Sequence, residues 1–228
     1  MKRIAILALA GTSLVLAGCE ARKAPEAPAA EAPAATGTLV TKENFIRAET
    51  DRMFGDFLKL SGGVNKLAHI RKPTPLDQQT VVRMNRDTIY SAAIVDASEG
   101  GTVTLPPAPD GRYISVHFID NDHQDLGAIN EPGTHPIPKV DGHIAALFRV
   151  QVFDPSDAAE TARLNAWQDG LKIEAAGSRP FAPGTWDKAS LDTVRAGLET
   201  SCRAFPNFEK GMMPAGQAVP EQRLCAAA

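Results

Sequence analysis

The hydrophobic pattern changes character several times along the chain. An apolar run from Ile4 to Ala17 follows the basic pair Lys2-Arg3 and closes at Leu16-Ala17-Gly18-Cys19. The next stretch, Ala21 to Thr38, is mostly Ala, Pro and Glu, with almost nothing to bury. After Thr41, a candidate cap, apolar residues recur at helical spacing. Met53, Phe54, Phe57 and Leu58 share one face of a predicted helix, which Gly62-Gly63 stops. The period then falls to that of strands. Short β-rich runs cover 80–84, 88–96, 101–106, 112–120 and 143–153. Ala108-Pro109-Asp110-Gly111 reads as a tight hairpin connection between two of them. Residues 121–143 read as a polar Gly/Pro loop, of a length that is commonly functional. Helical patterns return from Asp154-Pro155-Ser156 through Ile173, and from Asp187 or Ser190 toward Cys202. This order predicts an α+β fold. Its core is an antiparallel sheet or β-sandwich, with an N-terminal helix and C-terminal helices.

The first two segments bear on location. The apolar run is shorter than the ~20 residues that cross a bilayer. With its basic start and small-residue end it reads as a lipoprotein signal peptide over 1–18. Cys19 then offers its thiol for diacylglycerol and acyl attachment. Glu20 after the cysteine points toward the outer membrane, facing the periplasm, in a Gram-negative cell. Residues 19–38 read as a disordered tether able to reach about 50 Å when extended. The globular domain is expected over 39–228. The whole chain carries a net charge of −3, and loss of Lys2 and Arg3 makes it more acidic. That disfavours nucleic acid as a partner. The membrane is reached through the lipid anchor. In an oxidising compartment the remaining cysteines, Cys202 and Cys225, are expected to pair.

The most distinctive stretch runs from Val82 to Asp120. It contains Asn85, Asp87, Thr88, Tyr90 and Ser91, then Asp96, Ser98 and Pro106. Asp110-Gly111-Arg112-Tyr113, Ser115 and Asp120 follow. This resembles the bacterial family known as domain of unknown function 1254. Asn65, His69 and Arg71 upstream are similar to a flanking piece of that family. So is the segment 152–169, with Asp154, Asp157, Asn165 and Gln168. The resemblance covers about 45–175 and implies a domain rich in antiparallel β structure, with no reaction attached. The family's frequent companion, domain of unknown function 1214, is expected to be missing, since little chain follows Lys172. The segment after Asp120 is shorter than in the family. There Asn121-Asp122-His123-Gln124 replaces a more neutral stretch, so a pocket at that place would differ.

Candidate chemistry gathers in the same region. Strand alternation puts Thr88 and Tyr90 on one side, and Tyr113, Ser115 and His117 together on one side of the later strand. A polar set of Asn85, Asp87, Tyr90, Ser91, Arg112, Tyr113 and His117 can orient a small polar or amphiphilic ligand. The alternative is architectural. Asn85 and Asp87 favour turns, Arg112 pairs with Asp87 or Asp96, and Gly111 takes a positive φ. A second constellation, His117, Asp120 and His123, has the side chains for a metal-assisted hydrolase, without a recognised metal spacing. No nucleophile elbow, P-loop, Cys-x-x-Cys or His-Glu-x-x-His is present. Whether the chain is an enzyme, which cofactor it uses and how it oligomerises are left open. An envelope scaffold is the third function class.

Overall fold

The structure is a computed structural model that describes residues 36–75, 77, 85–203 and 225. The lipobox at Cys19, the tether up to residue 35 and the strand expected at 80–84 lie outside these residues. Among the described residues, three α-helices and two antiparallel sheets form an α+β fold. The helices are α1 (Phe45–Ser61), α2 (Ala158–Asp169) and α3 (Lys188–Cys202). In chain order the strands are β1 (Ala68–His69), β2 (Thr88–Asp96), β3 (Gly101–Leu105) and β4 (Ile114–Asp120). They continue with β5 (Asp125–Ile129), β6 (Gly133–Pro136), β7 (His143–Gln151) and β8 (Lys172–Ala175). The larger sheet has the order β1-β2-β7-β4-β5 and the smaller β6-β3-β8.

The core follows from alternation along the three long strands. Ile89, Ala93 and Val95 of β2 point to one side with Val116 and Phe118 of β4 and Ile144 and Phe148 of β7. Val103 and Leu105 of β3 and Leu164 and Trp167 of α2 close over them. The smaller sheet and α2 therefore cover one face of the larger sheet. The other face meets α1, where Phe54, Phe57 and Leu58 pack on Ile94 and Ala145. The opposite side of α1 packs Phe45 and Ala48 against Leu191 and Leu198 of α3. The helix ends as expected: Gly62 takes φ 77°, and its N–H donates to Leu58 O. Asn44, however, occupies the cap position, and its Oδ1 accepts from the Thr41 N–H at 2.8 Å.

Three expectations are corrected. Residues 108–111 do not join a hairpin. They form a 3-10 turn, Pro109–Gly111, that carries the chain from the smaller sheet to the larger, since β3 and β4 are not paired. Gly111 does take a positive φ, 67°. The polar stretch 121–143 is not one loop, because β5 and β6 lie within it; their exposed, Gly-interrupted sequences hide the alternation. The helix expected through Ile173 stops at Asp169, and Gly170 ends it so that Lys172–Ala175 can pair with β3.

Buried charges tie the elements together. The Arg112 guanidinium, with its side chain 1% exposed, lies 2.6 Å from Glu160 of α2. It also donates to Pro109 O and Gln151 O, contacts Asp110, and sits over the Phe153 ring. The Phe153 N–H, acting against burial and helped by Arg112 and the Asp154 N–H, holds the Glu160 carboxyl below its usual range. Asp96 is wholly buried. Burial opposes its charge, but the Ser98 hydroxyl, the Arg179 and Ser98 backbone N–H groups and the Arg179 guanidinium outweigh that and hold the carboxyl far below its usual range. Gly177 makes this possible, since a Cβ there would stand 2.5 Å from the Asp96 Oδ2. At the far end, Cys202 and Cys225 are joined by a disulfide.

Two predictions follow from these ties. Arg112→Ala leaves a buried carboxylate unpaired and should cost about 3–5 kcal/mol in a urea melt. Because the Glu160 pKa falls on folding, its contribution is full above the unfolded value of about 4.3 and is lost as pH falls through the folded value. Glu160→Gln should therefore flatten the urea midpoint's pH dependence on the acid side; an unchanged profile contradicts the assignment. For the C-terminus, the paired variant Cys202→Ser/Cys225→Ser should lose about 3 kcal/mol of unfolding free energy through chain entropy.

Candidate functional site

On the α1-facing side of the larger sheet, a polar patch lies beside the apolar contact with the helix. Register sets the neighbours. Tyr90 of β2, Arg149 of β7 and Ser115 of β4 lie side by side across three strands. One step along, Ala92, Leu147 and His117 form the next row. Thr88 and Gln151 are paired on the other side of the Tyr90 row. The Arg149 guanidinium carbon stands 5.4 Å from the centre of the Tyr90 ring.

Beside this patch a groove of about 470 Å³ opens between the sheet and α1. Met53, Phe57 and Leu60 form its helical wall, Ile70 and Pro73 its rim, and Tyr90, Ala92 and Leu147 its floor. Its size is in the range of small-molecule sites, about 300–1,000 Å³, and its lining is mainly apolar. Arg52, Asp56 and Lys72 stand at the edge. Arg52 and Asp56 pair with each other, whereas Lys72 has no ion pair among the described residues.

Three polar atoms on this face are buried without a hydrogen-bond partner among the described residues: Thr88 Oγ1, Ser115 Oγ and Arg149 Nε. Ser115 is 1% exposed and Thr88 6%. Each unpartnered buried donor costs on the order of 1–3 kcal/mol. Such costs are tolerated where a ligand completes the bonds.

The residues singled out in the sequence divide among several places. Asn85 and Tyr90 line the groove. Tyr113 and His117 share the face with Ser115, as alternation requires; Tyr113 is 47% exposed, and His117 Nε2 lies 3.0 Å from Asp125 Oδ1. Asp87 is exposed at a turn in which its N–H donates to Asn85 Oδ1. Arg112 pairs with Glu160 and Asp110 rather than with Asp87 or Asp96, and its guanidinium is spent on those architectural contacts.

Ser91 lies on the opposite, core-facing side. Its Oγ is 2.8 Å from His69 Nδ1, and the Gln168 Nε2 donates to it at 3.0 Å. The same amide nitrogen donates to Tyr90 O at 2.8 Å. The Ser91 hydroxyl oxygen accepts from the Gln168 amide, and the direction of its bond with His69 follows the imidazole tautomer. Burial, and then the nearby Arg71 charge, lower the His69 pKa despite Asp169. This cluster ties β1 to α2 through β2. Ser91 is 1% exposed, so the pair is a structural link and not an accessible nucleophile.

The proposed metal set does not converge. His117 pairs with Asp125, and His123 Nδ1 approaches Thr50 Oγ1 at 3.4 Å. Asp120 Oδ1 accepts from the Asp122 and Gln124 N–H groups in a turn. No group of three or more His, Cys, Asp or Glu side chains able to hold a metal ion forms among the described residues. Asp120 instead lines a polar cavity of about 370 Å³ with Arg47, Asp122, Asp141, His143 and Arg179. The charges there answer one another, Arg47 with Asp122 and Arg179 with Asp141.

Sequence reasoning missed Arg149 and the helical wall. Arg149 follows Ala145 and Leu147 at strand spacing, so an outward-facing arginine was available as a signal in β7. Its neighbours Tyr90 and Ser115 depend on register, which no local pattern states.

Comparison with known proteins adds a family-model match over part of the chain and a distant likeness. Residues 64–140 match the family model described as protein of unknown function (DUF1254). Among solved structures, the chain is similar to the VPA0106 protein from Vibrio parahaemolyticus, at 14% identity and a TM-score of 0.44. That likeness covers 82% of this chain and 55% of the other, so the chain spans about half the length of that protein. No curated protein matches. The span from the approach to β1 to the loop before β7, residues 64–140, is the part of this chain that carries the DUF1254 match.

Proposed function

We propose that this chain is a lipid-anchored protein of the cell envelope, facing the periplasm, whose folded part binds a small amphiphilic molecule in the groove between α1 and the larger sheet. One observation carries the binding reading: an apolar groove of about 470 Å³ lies beside buried polar atoms without partners. The groove suits an apolar body and the polar patch a polar end, which is the signature of a small-molecule site. The anchor rests on the basic start, the apolar run and Cys19. No helix among the described residues is long and apolar enough to cross a membrane.

The anchor predicts that cells fed labelled palmitate incorporate it into the wild-type chain and not into Cys19→Ser, which should move from the membrane to the soluble fraction. Label retained on the variant contradicts the anchor. The groove predicts that the neutral dye N-phenyl-1-naphthylamine brightens on binding. Ile70→Glu places a charge on the rim and should weaken that binding about tenfold or more. Leu39→Glu, at an exposed leucine away from the groove, should bind the dye as wild type does. A dye that does not bind, or that ignores Ile70→Glu, overturns the proposal.

A further inference from the structure

The polar end of the groove is unbalanced in a way that selects among ligands. Seven described arginines each face a carboxylate within 4.0 Å. Arg149 faces none among the described residues, although it is half-buried at the centre of the sheet. Its Nε is enclosed and unpartnered, as are the hydroxyls of Ser115, directly beside it in register, and Thr88, diagonal to it. A guanidinium N–H can only donate. A cation or an ammonium group therefore cannot satisfy Arg149, and an amide does so with one atom at most. A carboxylate or phosphate accepts from the guanidinium edge and from both kinds of hydroxyl. The Tyr90 ring near Arg149 favours a stacked arrangement that leaves the N–H edge available, which suits two-point recognition of a planar or tetrahedral oxyanion. Among the described lining residues the other unpaired cation, Lys72, has the same sign, and the carboxylate, Asp56, is occupied by Arg52 and Lys59.

We infer that the ligand is an anionic amphiphile, whose chain lies in the groove and whose carboxylate or phosphate head is bound by Arg149 with Ser115 and Thr88 beside it. This inference rests on the proposed groove and adds the head-group chemistry to it. A single-chain fatty acid and a phospholipid both offer that chemistry.

The test uses the chain from residue 19 onward carrying Cys19→Ser, with N-phenyl-1-naphthylamine in the groove. Decanoate, decanol and dihexanoyl phosphatidate compete for it. Decanoate should displace the dye about tenfold or more better than decanol, the gain expected of charge-assisted hydrogen bonds. Arg149→Met should remove that gap while leaving decanol unchanged. Ser115→Ala should narrow it, and Arg149→Lys should keep only part, since the ammonium holds charge without the planar fork. If Arg149→Met does not fold, the lysine and Ser115→Ala variants decide by the same criterion. Stronger displacement by decanoate than by phosphatidate assigns a free acid, the reverse a phospholipid head, and either supports an anionic ligand. Decanol competing as well as decanoate, or a gap unchanged in the Arg149 and Ser115 variants, overturns the head-group inference while the groove stands. Failure of the dye to bind at all removes the groove, and this inference with it.

Discussion

The larger sheet and the two faces packed on it are organised around the pairing of β7. This strand pairs with β2 from Thr88–Gln151 to Asp96–His143, and with β4 from Ile114–Val150 to Asp120–Ile144. Side chains alternate strictly along these ladders, so one register decision sorts all three strands at once. Ile144, Ala146, Phe148 and Val150 go to the core beneath the smaller sheet and α2. Ala145, Leu147, Arg149 and Gln151 go to the face that α1 meets. A slip by one residue would bury Arg149 in the apolar core and expose Phe148. The groove and its polar end are thus a direct result of the same pairing that builds the core. On that outer face Tyr90, Arg149 and Ser115 lie side by side across the three strands.

How much of this was legible in the chain depends on how local each signal is. The α1 stripe of Met53, Phe54, Phe57 and Leu58 and the β2 run from Thr88 to Asp96 are short-range patterns found where the sequence places them, and of the two starts open for α3, Asp187 is the cap. The disulfide was legible from parity of cysteines and compartment. The connections were harder. The Pro109–Gly111 turn has hairpin residues yet changes sheets, because partner choice depends on distant strands. β5 and β6 carry Gly and Pro on exposed edges and lack the alternation that reveals a half-buried strand. At the site, Tyr90 and Asn85 were visible as unusual residues in a motif. Arg149 and Leu147 were not, since they join the motif only through cross-strand register.

The polar residues of the central motif are largely taken up in architecture once their partners are known. Arg112, Asp110 and Asp96 are consumed in ion pairs that fasten α2, the 3-10 turn and the 177–179 segment to the strands. Ser91 is consumed in a buried link with His69 and Gln168. Two buried acids of α1 act likewise. Glu49 faces Arg52 and Arg195, and Asp51 accepts from Asn121, the Gly184 N–H and the Trp186 indole. Removing one member of such a pair strands the other, so these residues resist substitution for reasons of architecture. Thr88, Ser115 and Arg149, on the outer face of the larger sheet, keep buried polar atoms that no described residue satisfies.

The segment at 36–40 runs beside the start of α3. The Thr38 N–H donates to Thr185 O, Asp187 N–H donates to Thr38 O, and Thr36 N–H reaches the Asp187 carboxylate. The Val40 N–H adds a bond to the Ser190 hydroxyl. These bonds act in parallel, as a clasp rather than a zipper. A pull along the chain from before residue 36 meets these bonds to Thr185, Asp187 and Ser190 before it reaches α1. A protein tugged at that end would keep its groove in shape.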